Sequence, residues 1–110
     1  MAYRIGDVVL VPFPYTDLSD VRIRPAVVVS AGDFNAFGDV TVAMITSRAR
    51  FDVTDWGLRD WVEAGLRVPS WVRARFVTLD QEMVRFSPGS LSPRDIDAVK
   101  ARIRLAFELS

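Results

Sequence analysis

The sequence predicts a small, mainly β domain of the α+β class. Its antiparallel strands close as a barrel-like sheet, and one C-terminal helix packs on it. Three observations carry that expectation. Valine-rich apolar runs recur at Val8–Phe13, Pro25–Ser30 and Asp39–Ile45, each bounded by polar or turn residues. Trp71–Leu79 alternates bulky apolar residues with Arg73 and Arg75, as a strand with one solvated face does. Ser92 and Pro93 then open a segment with helical spacing. At 110 residues the chain is expected to be one domain, 1–110.

Each element has a local cause. Gly6-Asp7 is a turn that starts the first strand, and Pro12 and Pro14 are expected to end it, since proline donates nothing to a sheet ladder. Tyr15–Arg24 reads as a polar loop carrying Thr16, Asp17, Ser19, Asp20, Arg22 and Arg24. Arg24 precedes Pro25, which pushes its backbone toward the extended region and fixes it at the mouth of the second strand. Gly32, Asp33, Asn35 and Gly38 make a turn. In the third strand Val40, Val42 and Met44 share one face, with Thr41, Ala43 and Ile45 on the other, and the strand is expected to pair with the second. Phe51–Trp56 is a weaker strand, Leu58–Gly65 a helical turn or an irregular excursion, and Asp80–Val84 is open, continuation of the strand being one option. Phe86–Leu91, with Pro88 and Gly89, reads as loop.

In the helix, Ser92 is the N-cap, Pro93 the first helical residue, and Asp95 lies where the macrodipole favours an anion. Ile96, Val99, Ile103, Ala106 and Phe107 form one apolar stripe expected in the core, with Lys100, Arg102 and Arg104 off it.

Composition excludes several chemistries. There is no cysteine, hence no disulfide, no thiolate nucleophile and no Cys-type metal site. There is no histidine, which removes His-based acid–base catalysis and the commonest metal ligand. The carboxylates show no dense metal-binding spacing, so neither metal nor cofactor is expected. No signal-like segment opens the chain and no run approaches membrane-spanning length, so a cytoplasmic protein with no membrane partner is expected. Fourteen basic residues balance 14 acidic ones, against a general nucleic-acid binder. Yet every basic residue except Lys100 is arginine, which suits bidentate phosphate contacts and stacking, although genomic codon bias is the better explanation of the excess; a local basic patch remains compatible with a zero sum.

The most informative juxtaposition is Arg24 with Thr46. If the second and third strands pair across the 31–38 turn, Arg24 begins one and Thr46 ends the other, side by side and next to the polar loop. A permanent cation, a hydroxyl and a polar loop make a site for a phosphodiester. Arginine can neutralise charge developing on phosphoryl oxygens, and threonine can hydrogen-bond there. The plain alternatives are a surface ion pair of Arg24 with Asp17 or Asp20, and an ordinary strand-end threonine. Tyr15 and Trp71 could stack on bases, although core or dimer burial suits Trp71 better. Arg48 and Arg50 could touch phosphates or simply be solvated. Trp56 and Trp61 read as packing residues, and Asp7, Asp80 and Glu82 as solvated or capping ones.

GDVVLVPFPYTD, then RPAVVVS, then DVTVAMITS resembles the MazF/PemK family of type II toxin–antitoxin ribonucleases, and the resemblance extends more weakly through AGLRVPSWVR and TLD, and through LSPRD. It implies an SH3-like barrel of the PemK/CcdB type and a homodimer. It also implies metal-independent cleavage of single-stranded RNA by 2′-OH attack, leaving a 2′,3′-cyclic phosphate and a 5′-OH. The expected partners are RNA and a cognate antitoxin with an acidic disordered segment. By position, the family's catalytic arginine falls on Arg24. Its strand-end hydroxyl falls on Thr46, with Ser47 as the adjacent alternative. Tyr15, Thr16, Asp17, Asp20, Arg22, Ser47 and Arg48 are the accompanying RNA-binding candidates. Many members carry Gly-Ser-Glu-Gln before Arg-Pro; here the loop is Thr16-Asp17-Leu18-Ser19-Asp20, closer to the PemK-like branch, which leaves Asp17 or Asp20 as general-base candidates. Arginine is a poor base, its pKa lying above about 12. The competing expectation is a non-catalytic binding module of the same fold, such as a CcdB-like inhibitor of a topoisomerase.

Overall fold

The computed structural model describes residues 3–14, 21–50 and 55–109. Six strands form one antiparallel sheet: β1 (Asp7–Pro14), β2 (Val21–Val28), β3 (Asp39–Thr46), β4 (Asp55–Gly57), β5 (Trp71–Asp80) and β6 (Phe86–Ser90). A single helical turn, α1 (Gly32–Asn35), links β2 to β3, and α2 (Pro93–Ala106) follows β6. The spatial order is β4-β5-β3-β2-β1-β6. The sheet is mainly β as expected but is not closed into a barrel, β4 and β6 being its two edges.

Both faces of the central strands are buried, which is why they read as near-continuous valine runs. One core holds Val9, Val11, Phe13, Ala26, Val28, Val40, Val42 and Met44. The other holds Val8, Val27, Ala43, Ile45, Leu58, Ala64, Val72, Leu91 and Val99, with Trp56, Trp61, Ile96 and Ile103 packed against it. The alternation expected in β3 is therefore the one observed, and β2 and β3 pair as expected, Ala26 opposite Met44 and Val28 opposite Val42.

Three boundaries differ from the sequence reading, and a fourth, open in the sequence, is decided by the structure. β1 runs through Pro12 and ends at Pro14, the second of the two prolines expected to end it. β6 pairs with β1 only from Asp7 to Leu10, so beyond Leu10 no described strand pairs on that side of β1, and a missing N–H costs no ladder bond there. β2 starts at Val21, so Arg22 and Arg24 are strand residues paired with Phe13 and Val11 rather than loop residues. Phe86–Ser90, expected as loop, is strand β6. Its bulged register with β1 tolerates Pro88, and Gly89 lets the Ala64 carbonyl approach so closely that an added Cβ would lie 2.7 Å from it. Gln81–Met83 forms a 3₁₀ turn capped by Asp80, which accepts the Glu82 N–H, so β5 does not continue to Val84.

The helix begins as expected, with Ser92 as N-cap and Pro93 in its first turn. Asp95 does more than face the dipole. It is fully buried and accepts the N–H groups of Arg59 and Asp60 at 3.1 and 2.9 Å, tying the 58–66 segment to α2. The apolar stripe is core only in part: Val99 is buried, while Ala106 and Phe107 in the last turn are exposed, Phe107 tilting against Phe76. Arg102, expected off the stripe, lies half-buried with its guanidinium 5.3 Å from the Trp56 ring.

Candidate nucleic-acid interface

The end of the sheet where β2 begins and β3 finishes opens into a groove of about 830 Å³. Arg22, Arg24 and Pro25 from β2 line it, with Met44, Ile45 and Thr46 from β3 and the following Ser47 and Arg48. The 65–68 segment, Ser70, Arg73 and the β6 residues Phe86 and Pro88 complete it. Arg24 and Thr46 both line it, each two residues beyond Ala26 and Met44, the outermost pair of the β2–β3 ladder.

Electrostatics follow from the lining. Five arginines, at 22, 24, 48, 67 and 73, face this groove, and among the described lining residues there is no carboxylate. A chain of zero net charge thus concentrates cations in one place. Arg24 is half-buried, with its Nε atom out of contact with solvent. Burial holds the guanidinium at the groove wall rather than leaving it free to follow solvent. Arg22, Arg48 and Arg67 are exposed. Phe86, 60% exposed, adds an aromatic face on which a base can stack, and Val68, 48% exposed, an apolar contact on the same groove.

Thr46 is half-buried, and its Oγ1 accepts the Arg48 N–H at 3.1 Å. This contact turns the chain out of β3, and it leaves the hydroxyl proton available for donation. Ser47 is exposed beside it. Tyr15, Thr16, Asp17 and Asp20 lie outside the described residues. The structure thus brings together Arg22, Arg24, Thr46, Ser47 and Arg48 from the sequence-derived set.

Sequence reasoning missed Arg67, Val68, Arg73 and Phe86. Arg73, expected on a solvated face, is instead an ion-paired residue whose side chain is 12% exposed. Its Nε donates to Asp55 Oδ1 at 3.0 Å, and its Nη2 to Asp55 Oδ2 at 3.2 Å and to the Arg48 carbonyl at 2.8 Å. The reason is a bulge. Between the pairs Ala43–Phe76 and Ile45–Val72, β3 advances two residues and β5 four, which breaks the simple alternation over Arg73–Arg75. A bulge leaves almost no signal in a single sequence. The Arg73 hydrogen bond, followed by the Arg50 amide and the two arginine charges, holds the Asp55 carboxyl below its usual range, against burial, which raises it.

The profile of the family described as PemK-like, MazF-like toxin of type II toxin–antitoxin system matches residues 4–107. No curated protein sequence gives a significant match. Among solved structures, an endoribonuclease in complex with its cognate antitoxin from a mycobacterial species is 20% identical, with a TM-score of 0.83 over 99% of this chain and 98% of that one. MazF (Form-I) from Deinococcus radiodurans is 25% identical, with a TM-score of 0.74 over 98% of both chains. Mycobacterium tuberculosis toxin MazF-mt6 is 22% identical, with a TM-score of 0.73 over 93% of this chain and 98% of that one.

Proposed function

Since the chain belongs to the PemK-like, MazF-like toxins of type II toxin–antitoxin systems, we propose that it is a metal-independent endoribonuclease that cleaves single-stranded RNA in the Arg24–Thr46 groove. The observation that carries this reading is the groove itself: five arginines without a lining carboxylate among the described residues, next to a strand-end hydroxyl and exposed apolar faces. Phosphates meet cations, and a base stacks on Phe86.

The reaction needs only the substrate's own nucleophile. The ribose 2′-OH attacks the adjacent phosphorus, the O2′–P bond forms, and the P–O5′ bond breaks. The 2′-OH proton passes to a base and the leaving 5′-oxygen gains a proton. The products are a 2′,3′-cyclic phosphate and a 5′-OH. Arg24 neutralises the charge that grows on the non-bridging oxygens, and can supply the proton to the leaving group. Thr46 donates to a phosphoryl oxygen through Oγ1 and orients it. Arg22, Arg48 and Arg67 hold flanking phosphates, with Ser47 beside them. Asp17 and Asp20 are the base candidates, and with Tyr15 and Thr16 they complete the RNA-binding set. Inhibition of translation and growth follows from cutting mRNA in the cytoplasm. The same cationic groove suits an acidic antitoxin segment, and a homodimer would set two such grooves in one particle.

The test is incubation of a long single-stranded RNA with wild type and Arg24→Ala in excess EDTA, with analysis of product ends. Cleavage by wild type, giving cyclic phosphate and 5′-OH ends, is the expected result, with Arg24→Ala slower by about 10²–10³-fold. Equal cleavage by the variant would remove Arg24 from the site. Uncut RNA across several sequences would point instead to a binding module acting on a protein.

A further inference from the structure

We propose that Asp55, which does not line the groove, is a positioning residue for the Thr46–Arg50 segment, whose Thr46, Ser47 and Arg48 form part of its wall. The proposal rests on the ribonuclease reading of the groove. Asp55 lies in the three-residue edge strand β4, directly opposite Arg73 in β5, with its side chain 2% exposed. Three donors converge on its carboxylate. Oδ2 accepts the Arg50 N–H at 2.7 Å and Arg73 Nη2 at 3.2 Å, and Oδ1 accepts Arg73 Nε at 3.0 Å. The same Nη2 reaches back to the Arg48 carbonyl at 2.8 Å. Arg48, in turn, donates its N–H to Thr46 Oγ1.

These bonds form one continuous path. Asp55 grips the segment at Arg50 through its own oxygen and at Arg48 through Arg73, and the Arg48 amide fixes Thr46. The segment that carries a proposed catalytic hydroxyl and a phosphate-binding arginine is therefore anchored twice by one carboxylate. The residue type is dictated by the donor count. An ionised carboxylate offers lone pairs on both oxygens, whereas an asparagine offers one oxygen and would turn an NH₂ group toward the other donors. The fork geometry dictates arginine at 73: a planar guanidinium meets the carboxylate with two nitrogens and the Arg48 carbonyl besides, which an ammonium cannot reproduce. The bulge in β5 lets a sheet residue reach out of its strand in this way. Reacting groups must be held to within a fraction of an ångström, and a displacement of about 1 Å costs on the order of 100-fold in rate.

The experiment is a double-mutant cycle in kcat/KM on single-stranded RNA, well below the melting temperature. It combines Asp55→Asn with Thr46→Ala and with Arg48→Ala, and reads Arg50 amide hydrogen exchange by NMR alongside. Asp55→Asn is expected to lower kcat/KM about 10- to 100-fold. In its background Thr46→Ala and Arg48→Ala cost several-fold less than in wild type, because the groups they remove are no longer held in place. Arg50 exchanges faster, while β1 and β2 amides do not. Asp60→Asn, which removes an ion pair outside the groove, serves as the control for lost stability and shows no such coupling. Additive effects, or an Arg50 amide as protected as in wild type, would overturn the proposal. If Asp55→Asn fails to fold, Arg73→Lys is used instead, since it keeps the charge but loses the bridge, and the same coupling is expected. If wild type cuts no RNA, the ribonuclease reading falls by itself, and the Arg50 amide still decides whether Asp55 holds the segment.

Discussion

Arg73 and Asp55 form a forked ion pair across β5 and β4, Nε to Oδ1 at 3.0 Å, with side chains 12% and 2% exposed. One partner faces a groove rich in arginine and the other sits behind it. The pair thus joins the stability of an edge strand to the shape of the candidate site.

Its pH dependence has a definite sign. The Arg73 hydrogen bond is the largest influence on Asp55 and holds its carboxyl below the ordinary 3.8. A carboxyl depressed by folding stabilises the fold above its unfolded pKa, and that stabilisation is lost as pH falls through the folded value. Asp55→Asn should therefore lower stability by about 3 kcal/mol at neutral pH, the order expected when one partner of a buried pair is removed. The gap between wild type and variant should stay constant from about pH 5 upward and narrow as pH falls below 3.8 through the lower folded value. Melting curves over that range measure it; a gap independent of pH would mean that the charge on Asp55 contributes nothing.

Asp60 gives a second titration. Hydrogen bonds from Arg94 first, then Ser92, lower its pKa to about 2. Carboxyl NMR should find a midpoint near that value in wild type and one nearer 3.8 in Arg94→Ala. Coincident midpoints would remove the Arg94 contact from solution.

Salt dependence should report the groove. If Arg67 holds a phosphate, Arg67→Ala in an Arg24→Ala background should reduce the slope of log Kd against log salt by about 0.7 for a single strand. A slope equal to that of the parent would place Arg67 outside the RNA path.

Two glycines should behave oppositely. A Cβ on Gly89 would sit 2.7 Å from the Ala64 carbonyl, while one on Gly32 meets nothing within 4 Å. Gly89→Ala should cost about 1–3 kcal/mol, because a backbone contact has to open. Gly32→Ala, at the start of α1, should leave stability within about 1 kcal/mol of wild type or raise it. Denaturant curves for both variants check this, and equal midpoints would refute the close approach of β6 to the 63–65 segment.

The elements that locality governs were legible in the sequence. The apolar periodicity of β3, the capped start of α2 and the pairing of β2 with β3 all follow from side-chain spacing and caps, and the pairing puts Arg24 and Thr46 at one end of the sheet, where both line the groove. Tertiary structure decided what spacing does not encode. Whether Pro12 ends β1 depended on β6 withdrawing beyond Leu10, and whether Phe86–Ser90 was a strand depended on β1 being there to pair with it. Arg73 left its expected solvated face because of a bulge and because Asp55, eighteen residues away, supplies a carboxylate. Arg67, Val68 and Phe86 joined the groove through folds of distant chain. A hydrophobic period is a property of neighbours along the chain, whereas a groove is the space left between segments whose distances only the completed packing sets.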